Sequence, residues 1–153
     1  MIGWLLDTNV LSSLINPQGA PSVKNWAATQ APATFCISIL SIGEIEKGIH
    51  NLPESHPKRG EFEAARDRLL LAFANRLLPL GNEVVRLWGE ISGRILRETG
   101  HSPSVTDTLI AATALHHDLH LVTRNVRDVS RSGAIVFNPW QDHVTEFPLA
   151  SRK

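Results

Sequence analysis

The chain has 153 residues, with 15 Lys and Arg against 15 Asp and Glu and a hydrophobic share of 42%. A chain of that length is one domain by size and buries roughly 70% of its unfolded surface, enough for a proper core. Zero net charge excludes a broad basic surface that grips nucleic acid without sequence preference, though not a local basic rim, and a lone cysteine, Cys36, excludes a disulfide framework or a thiolate metal cluster.

Ile2 to Leu6 is an unbroken apolar run, the pattern of a buried parallel strand. It leads directly into Asp7, and Val10, Leu11, Leu14 and Ile15 then repeat at helical spacing until Asn16-Pro17-Gln18-Gly19 ends the helix. Pro21 to Ala28 is expected to be a second short helix with Pro in its first turn. Ala33 to Ser38 is a second strand, with Cys36 a buried strand thiol. Ile39 to Ile49 is a helix whose buried face carries Ile42, Ile45 and Ile49. His50 to Gly60 is a loop. Glu61 to Leu78 is expected to be one long helix with Phe62, Ala65, Leu69, Phe73 and Leu77 on one face, stopped by Pro79. Glu83 to Glu98 is another, closed by Gly100. Ser104 to His116 is almost wholly apolar and therefore central. Leu119 to Thr123 is a strand, Arg124 to Gly133 a polar connection, and Ala134 to Phe137 a last strand ended by Asn138-Pro139. Strands alternating with helices imply an α/β fold with a mostly parallel sheet. No leader sequence is visible and no apolar run approaches the ~20 residues that cross a bilayer, so a cytoplasmic protein with no membrane partner is expected.

Three carboxylates fall at or near helix starts: Asp7, Glu44 and Asp107. Each has a local explanation. Ser41-Ile42-Gly43-Glu44 and Ser104-Val105-Thr106-Asp107 both match a capping box, and an acid near a helix N-terminus gains about 0.3–1 kcal/mol from the dipole. Together they suggest more. Asp7 and Glu44 both follow strand exits, the edge of an α/β sheet where ligands bind. Asp107 opens a buried helix with no Lys or Arg nearby, and a bare buried charge is costly. A hard divalent cation with oxygen ligands answers that need. His116, His117 and His120 sit at a helix end, where the dipole favours them, and are not read as a zinc site.

Four segments taken together resemble the PIN-domain ribonucleases, in particular the VapC-type toxins of bacterial toxin–antitoxin pairs: Leu5-Leu6-Asp7-Thr8-Asn9-Val10-Leu11, Ser38 to Ile49 with Glu44, Asp107-Thr108-Leu109-Ile110-Ala111-Ala112-Thr113-Ala114, and Leu121-Val122-Thr123-Arg124-Asn125-Val126-Arg127-Asp128. Phe137-Asn138-Pro139-Trp140 looks most like the FitB branch. The resemblance implies a three-layer α/β/α sandwich around a mostly parallel sheet, one domain over residues 1–142 with a C-terminal tail at 143–153. It also implies a Mg2+ site, with Mn2+ as substitute, held by Asp7, Glu44 and Asp107.

Many relatives place a fourth acid where this chain has Asn125. Either Asn125 serves as a neutral ligand, or Asp128 lends its charge from a turn later. The implied activity is endoribonuclease hydrolysis that leaves a 5′-phosphate and a 3′-hydroxyl, with Glu44 as ligand or base. Thr8, Asn9 and Thr123, and with them Asp128, are candidates for orienting the carboxylates. Lys47, Arg124, Arg127 and Arg131 are candidates for RNA phosphates, against the plainer reading of solvated surface charge. Expected partners are RNA, a cognate antitoxin, a second copy of the chain, and DNA only through the antitoxin. The alternative is a catalytically weak partner acting within an antitoxin–DNA repressor complex. A haloacid-type phosphatase is disfavoured, because Asn9 stands where its second Asp belongs.

Overall fold

The computed structural model describes residues 2–142, so the tail at 143–153 lies outside the described residues. The elements run β1 (Trp4–Leu6), α1 (Thr8–Ile15), α2 (Pro21–Ala28), a 3-10 turn at Pro32–Thr34, β2 (Phe35–Ser38), α3 (Ile39–Asn51), α4 (Arg59–Ala72), β3 (Leu77–Leu78), α5 (Asn82–Thr99), α6 (Val105–His116), β4 (His120–Val122), α7 (Val126–Val129) and β5 (Val136–Phe137). The five strands form one parallel sheet in the order β3-β2-β1-β4-β5. This is the expected mostly parallel α/β architecture.

β1 is central, paired with β2 on one side and β4 on the other. Its three residues are all buried, which explains the unbroken apolar run. Side chains still alternate between faces. Trp4 and Leu6 point with Phe35, Ile37, Val122 and Phe137 into a core completed by Val10 and Leu11 of α1, Val23 and Trp26 of α2, and Leu69 of α4. Leu5, Leu121 and Val136 face the other way, onto Ile110, Ala111 and Ala114 of α6 and Val129 of α7. Helices therefore cover both faces of the sheet. Outside α6, α5 adds Val84, Ile91 and Ile95 against Ala112. The small side chains of α6 permit this double contact: Thr108, Ile110, Ala111, Ala112, Thr113 and Ala114 are all buried.

The largest departure from expectation is at the end of α4. The helix stops at Ala72, and Leu77–Leu78 form a strand beside β2. The i, i+4 spacing of Phe73 and Leu77 mimics a helical face, and a two-residue strand has no period of its own. Long-range bonds decide the outcome. Arg76 donates through Nη1 to Pro32 O (2.6 Å) and Phe35 O (2.7 Å) and through Nη2 to Ala72 O (2.8 Å), and its own carbonyl accepts from Ile37 N. In the connection after β4, α7 forms a single turn that polarity alone concealed. Gly100 closes α5 as expected, in the left-handed region with φ of 77°.

Candidate active site

β1, β2 and β4 all end at the same edge of the sheet, and their exits carry Asp7, Ser38 leading into α3, and Thr123. Asp7 is only 6% exposed. Its backbone continues the ladder, donating to Val122 O at 3.0 Å, and its side chain caps α1, with Oδ1 accepting from Thr8 N at 2.8 Å. The other oxygen is held by different residues. Oδ2 accepts from Thr123 Oγ1 at 2.7 Å and from Asn9 Nδ2 at 3.3 Å. Thr123 Oγ1 in turn accepts from Asn9 Nδ2 (3.3 Å) and from Asn125 N (3.0 Å), and Asn9 Oδ1 accepts from Arg124 N (3.2 Å). Thr8, Asn9 and Thr123 thus all hydrogen-bond to Asp7.

Glu44 lies in the second turn of α3, not in its first, because α3 begins at Ile39 and its cap is Ser38, whose Oγ accepts from Leu40 N. The capping-box reading of Ser41 and Glu44 therefore does not hold. Ser41 is fully buried inside the helix. Its Oγ is 3.0 Å from Thr8 Oγ1, and Thr8 Oγ1 donates to Glu44 Oε1 at 2.8 Å. A hydroxyl has one proton, so with Thr8 serving the carboxylate, Ser41 completes a short chain of hydroxyls behind Glu44. Sequence reading took Ser41 for a cap and missed this contact. The Ser104 cap does hold: Ser104 Oγ accepts from Asp107 N at 3.3 Å at the start of α6.

The acids sense one another. Burial raises the Asp7 carboxyl above its ordinary value, and the Glu44 charge adds to this, against the opposing hydrogen bonds from Thr123, Thr8 and Asn9. Burial also raises Asp107, and the charges of Asp7 and Asp128 push the same way, against Ser104. Asp7 is therefore coupled to Glu44 and Asp107, and Asp107 to Asp128. No Lys or Arg enters either balance. Asn125 is exposed and reaches this network through its backbone N–H; Asp128 reaches it by charge.

Among the described residues no three His, Cys, Asp or Glu side chains stand close enough to enclose an ion by themselves. The donor set nonetheless fits one kind of cation. Mg2+ is ordinarily held by one or two carboxylates, its other positions filled by water and substrate phosphate. A buried Asp7 beside the half-buried Asp107 and the exposed Glu44, with repulsion from Glu44 on Asp7 and from Asp7 on Asp107, is the complement of such an ion.

Beside Glu44 lies an open groove of about 630 Å³ lined by Ile39, Leu40, Gly43, Glu44, Lys47, Gly48, Asn51 and Thr106. Arg124, Arg127 and Lys47 are exposed near this edge. Arg124 Cζ sits 4.7 Å from the centre of the Trp140 ring. Arg131 lies apart, in a separate cleft with Arg94 and Glu98. His116 Nε2 is 3.1 Å from Glu83 Oε2, linking the end of α6 to the start of α5.

Residues 4–131 match the profile of the PIN domain. The chain belongs to the PIN-domain family. It is 30% identical over 138 residues to the toxin FitB of Neisseria gonorrhoeae, covering 90% of this chain and 99% of that one. It is 26% identical over 137 residues to the VapC ribonuclease Y4jK of Sinorhizobium fredii, covering 90% and 97%. Among solved structures it resembles FitAB bound to an IR36 DNA fragment, with a TM-score of 0.82 and 28% identity over 92% of this chain and 97% of that one. These matches bear out both the family and the α/β fold.

Proposed function

We propose that this PIN domain is the toxin of a toxin–antitoxin pair and acts as a Mg2+-dependent endoribonuclease, cutting RNA phosphodiester bonds by hydrolysis. The observation that carries this reading is the buried Asp7 carboxylate, raised by burial and by Glu44, with no Lys or Arg among the described residues to balance it. Asp7 and Asp107, with Glu44, are the residues that would hold the ion, Mn2+ being a plausible substitute on donor chemistry. When bound, the cation supplies a more acidic water and neutralises charge on the phosphoryl oxygens.

The chain's own residues do the rest. Thr123, Thr8 and Asn9 fix both oxygens of Asp7. Thr8 fixes Glu44 Oε1, which leaves Oε2 to accept a proton from an attacking water or to face the ion. Asp128 adds a negative charge near Asp107, one that opposes the ionisation of Asp107, at a place where Asn125 brings none. Lys47, Arg124 and Arg127 are exposed to meet RNA phosphates. As the family resemblance implies, the bond broken is the one to the 3′-oxygen, which leaves with a proton as the 3′-hydroxyl while the attacking water's oxygen stays on the 5′-phosphate.

The groove beside Glu44, with Ile39 46% and Val105 57% exposed, suits an antitoxin segment. Similarity to FitAB bound to DNA supports a second role, in which the toxin reaches DNA only through its antitoxin. A homodimer in the cytoplasm completes the proposal, with residues 1–142 as the one domain. Among the described residues no helix is long and apolar enough to cross a membrane.

The test is cleavage of a pooled RNA by antitoxin-free protein with Mg2+, with EDTA, and by Asp7→Asn. Cuts that need Mg2+ and vanish in the variant are expected. Cuts that persist in EDTA and in the variant overturn the metal-dependent carboxylate site, and an intact RNA pool with folded protein and Mg2+ overturns the enzymatic reading and leaves the partner role.

A further inference from the structure

Among the described residues two arginines sit over aromatic rings, and their surroundings differ. Arg76 lies over Phe73, 4.6 Å from its centre, and its guanidinium donates to the carbonyls of Pro32, Phe35 and Ala72. Those donors are committed to holding β3 in place. Arg124 lies over Trp140 at 4.7 Å, yet among the described residues no carboxylate or carbonyl accepts from its guanidinium. A guanidinium attracted to a ring face through its charge keeps its N–H donors for other partners, and that planar fork matches a phosphate.

Both partners are held rigidly. Arg124 N donates to Asn9 Oδ1, and the preceding Thr123 donates to Asp7, so the Arg124 backbone is fixed one residue from the acid site. Trp140 N donates to Oδ1 of the buried Asn138 at 3.0 Å, Asn138 N donates to Asp142 Oδ2 at 2.8 Å, and Asn138 O accepts from Gln141 N and Asp142 N. Thr123 N donates to Phe137 O at 3.0 Å, which ties the exits of β4 and β5 together. Trp140 also packs against the main core. A long, flexible side chain is thereby fixed before any ligand arrives, which reduces the ordering cost of binding.

We infer that Arg124 and Trp140 form a preorganised phosphate-binding site for the RNA backbone beside the carboxylates, with Trp140 as the positioning residue that holds the Arg124 fork. The site rests on the ribonuclease reading above and adds to it a named register point for the substrate. Lys47, on α3 at the far side of the acid site, is a point charge without a ring beneath it, so the Arg124 side orients the strand while Lys47 only attracts it.

The test is fluorescence anisotropy of a labelled single-stranded RNA in EDTA, where the strand is bound without being cut, as a function of salt. Arg124→Ala is expected to weaken binding about tenfold and to reduce the log–log salt slope by about 0.7, the value of one phosphate contact on a single strand. Trp140→Leu is expected to weaken binding several-fold with the slope retained, because the charge remains and only its placement is lost. Trp140→Phe keeps a ring and guards against misfolding; it is expected to restore most of the affinity. Arg97→Ala on the exposed side of α5 controls for general charge and is expected to change neither quantity. Wild-type protein that binds and cuts RNA while Arg124→Ala and Trp140→Leu, both folded by circular dichroism, titrate like it overturns this inference alone. Wild-type protein that neither binds nor cuts RNA overturns the ribonuclease reading and this inference with it.

Discussion

Asp7 has two roles that conflict. As the cap of α1 it stabilises the helix, yet it is buried beside Glu44 and its ionisation is opposed. A carboxyl whose pKa is raised by folding binds its proton more tightly in the native state, so stability falls as pH rises from its ordinary value of 3.8 through the raised one, and the penalty is complete above that window. Asp7→Asn keeps an acceptor for Thr8 N and removes the charge. In metal-free buffer at neutral pH it should raise the melting temperature, and near pH 3 the gain should disappear; a variant that melts lower at both pH values would contradict the electrostatic account. Thr8→Val removes the donor to Glu44, and loss of an orienting partner of this kind ordinarily costs 10- to 100-fold. Single-turnover cleavage should slow by about that factor with RNA affinity little changed. The acids were legible in the sequence because a carboxylate directly after an apolar strand is conspicuous. Ser41 and Trp140 were not, since Ser41 matters through Thr8, 33 positions earlier, and Trp140 through a guanidinium from another strand exit.

At the scale of elements, glycine separates two situations that look alike in sequence. Gly89 and Gly93 lie inside α5, where an added Cβ meets nothing within 4 Å. Gly89→Ala and Gly93→Ala should each stabilise by about 0.5–1 kcal/mol, by reducing the entropy of the unfolded chain. Gly19 closes the turn after α1, and a Cβ there would lie 1.7 Å from Ser13 O, a backbone atom that cannot step aside alone. Gly19→Ala should cost about 1–3 kcal/mol, seen as a lower urea midpoint with an unchanged slope. The same distinction explains what the sequence concealed. β1, α5 and α6 were readable because each is long or apolar enough to show its own pattern. β3 was not: two leucines after a helix become a strand only because the Arg76 carbonyl meets Ile37 N across the sheet, and helix spacing carried through Phe73 and Leu77 by coincidence.

At the scale of the whole molecule, the arrangement exchanges stability for a binding site. The three acids come from segments far apart in the chain, and folding brings together charges that repel. The parallel sheet makes this unavoidable, since every strand exit points to one edge and β1, β2 and β4 are neighbours there. On the proposed function the cost would be recovered by a cation that binds the native state and not the unfolded one. At a hundred times its dissociation constant such a ligand stabilises by about 2.7 kcal/mol, which for a chain of this size raises the melting temperature by about 5–10 °C. Mg2+ should therefore raise the melting temperature of the wild-type protein by that amount at neutral pH. It should do little for Asp7→Asn, which starts higher and has less to gain, so the two curves should approach one another as Mg2+ is added. The comparison needs no substrate and reads the acid cluster directly. Equal shifts in both proteins would mean that the cation binds elsewhere on the surface and that the strand-exit carboxylates do not form its site.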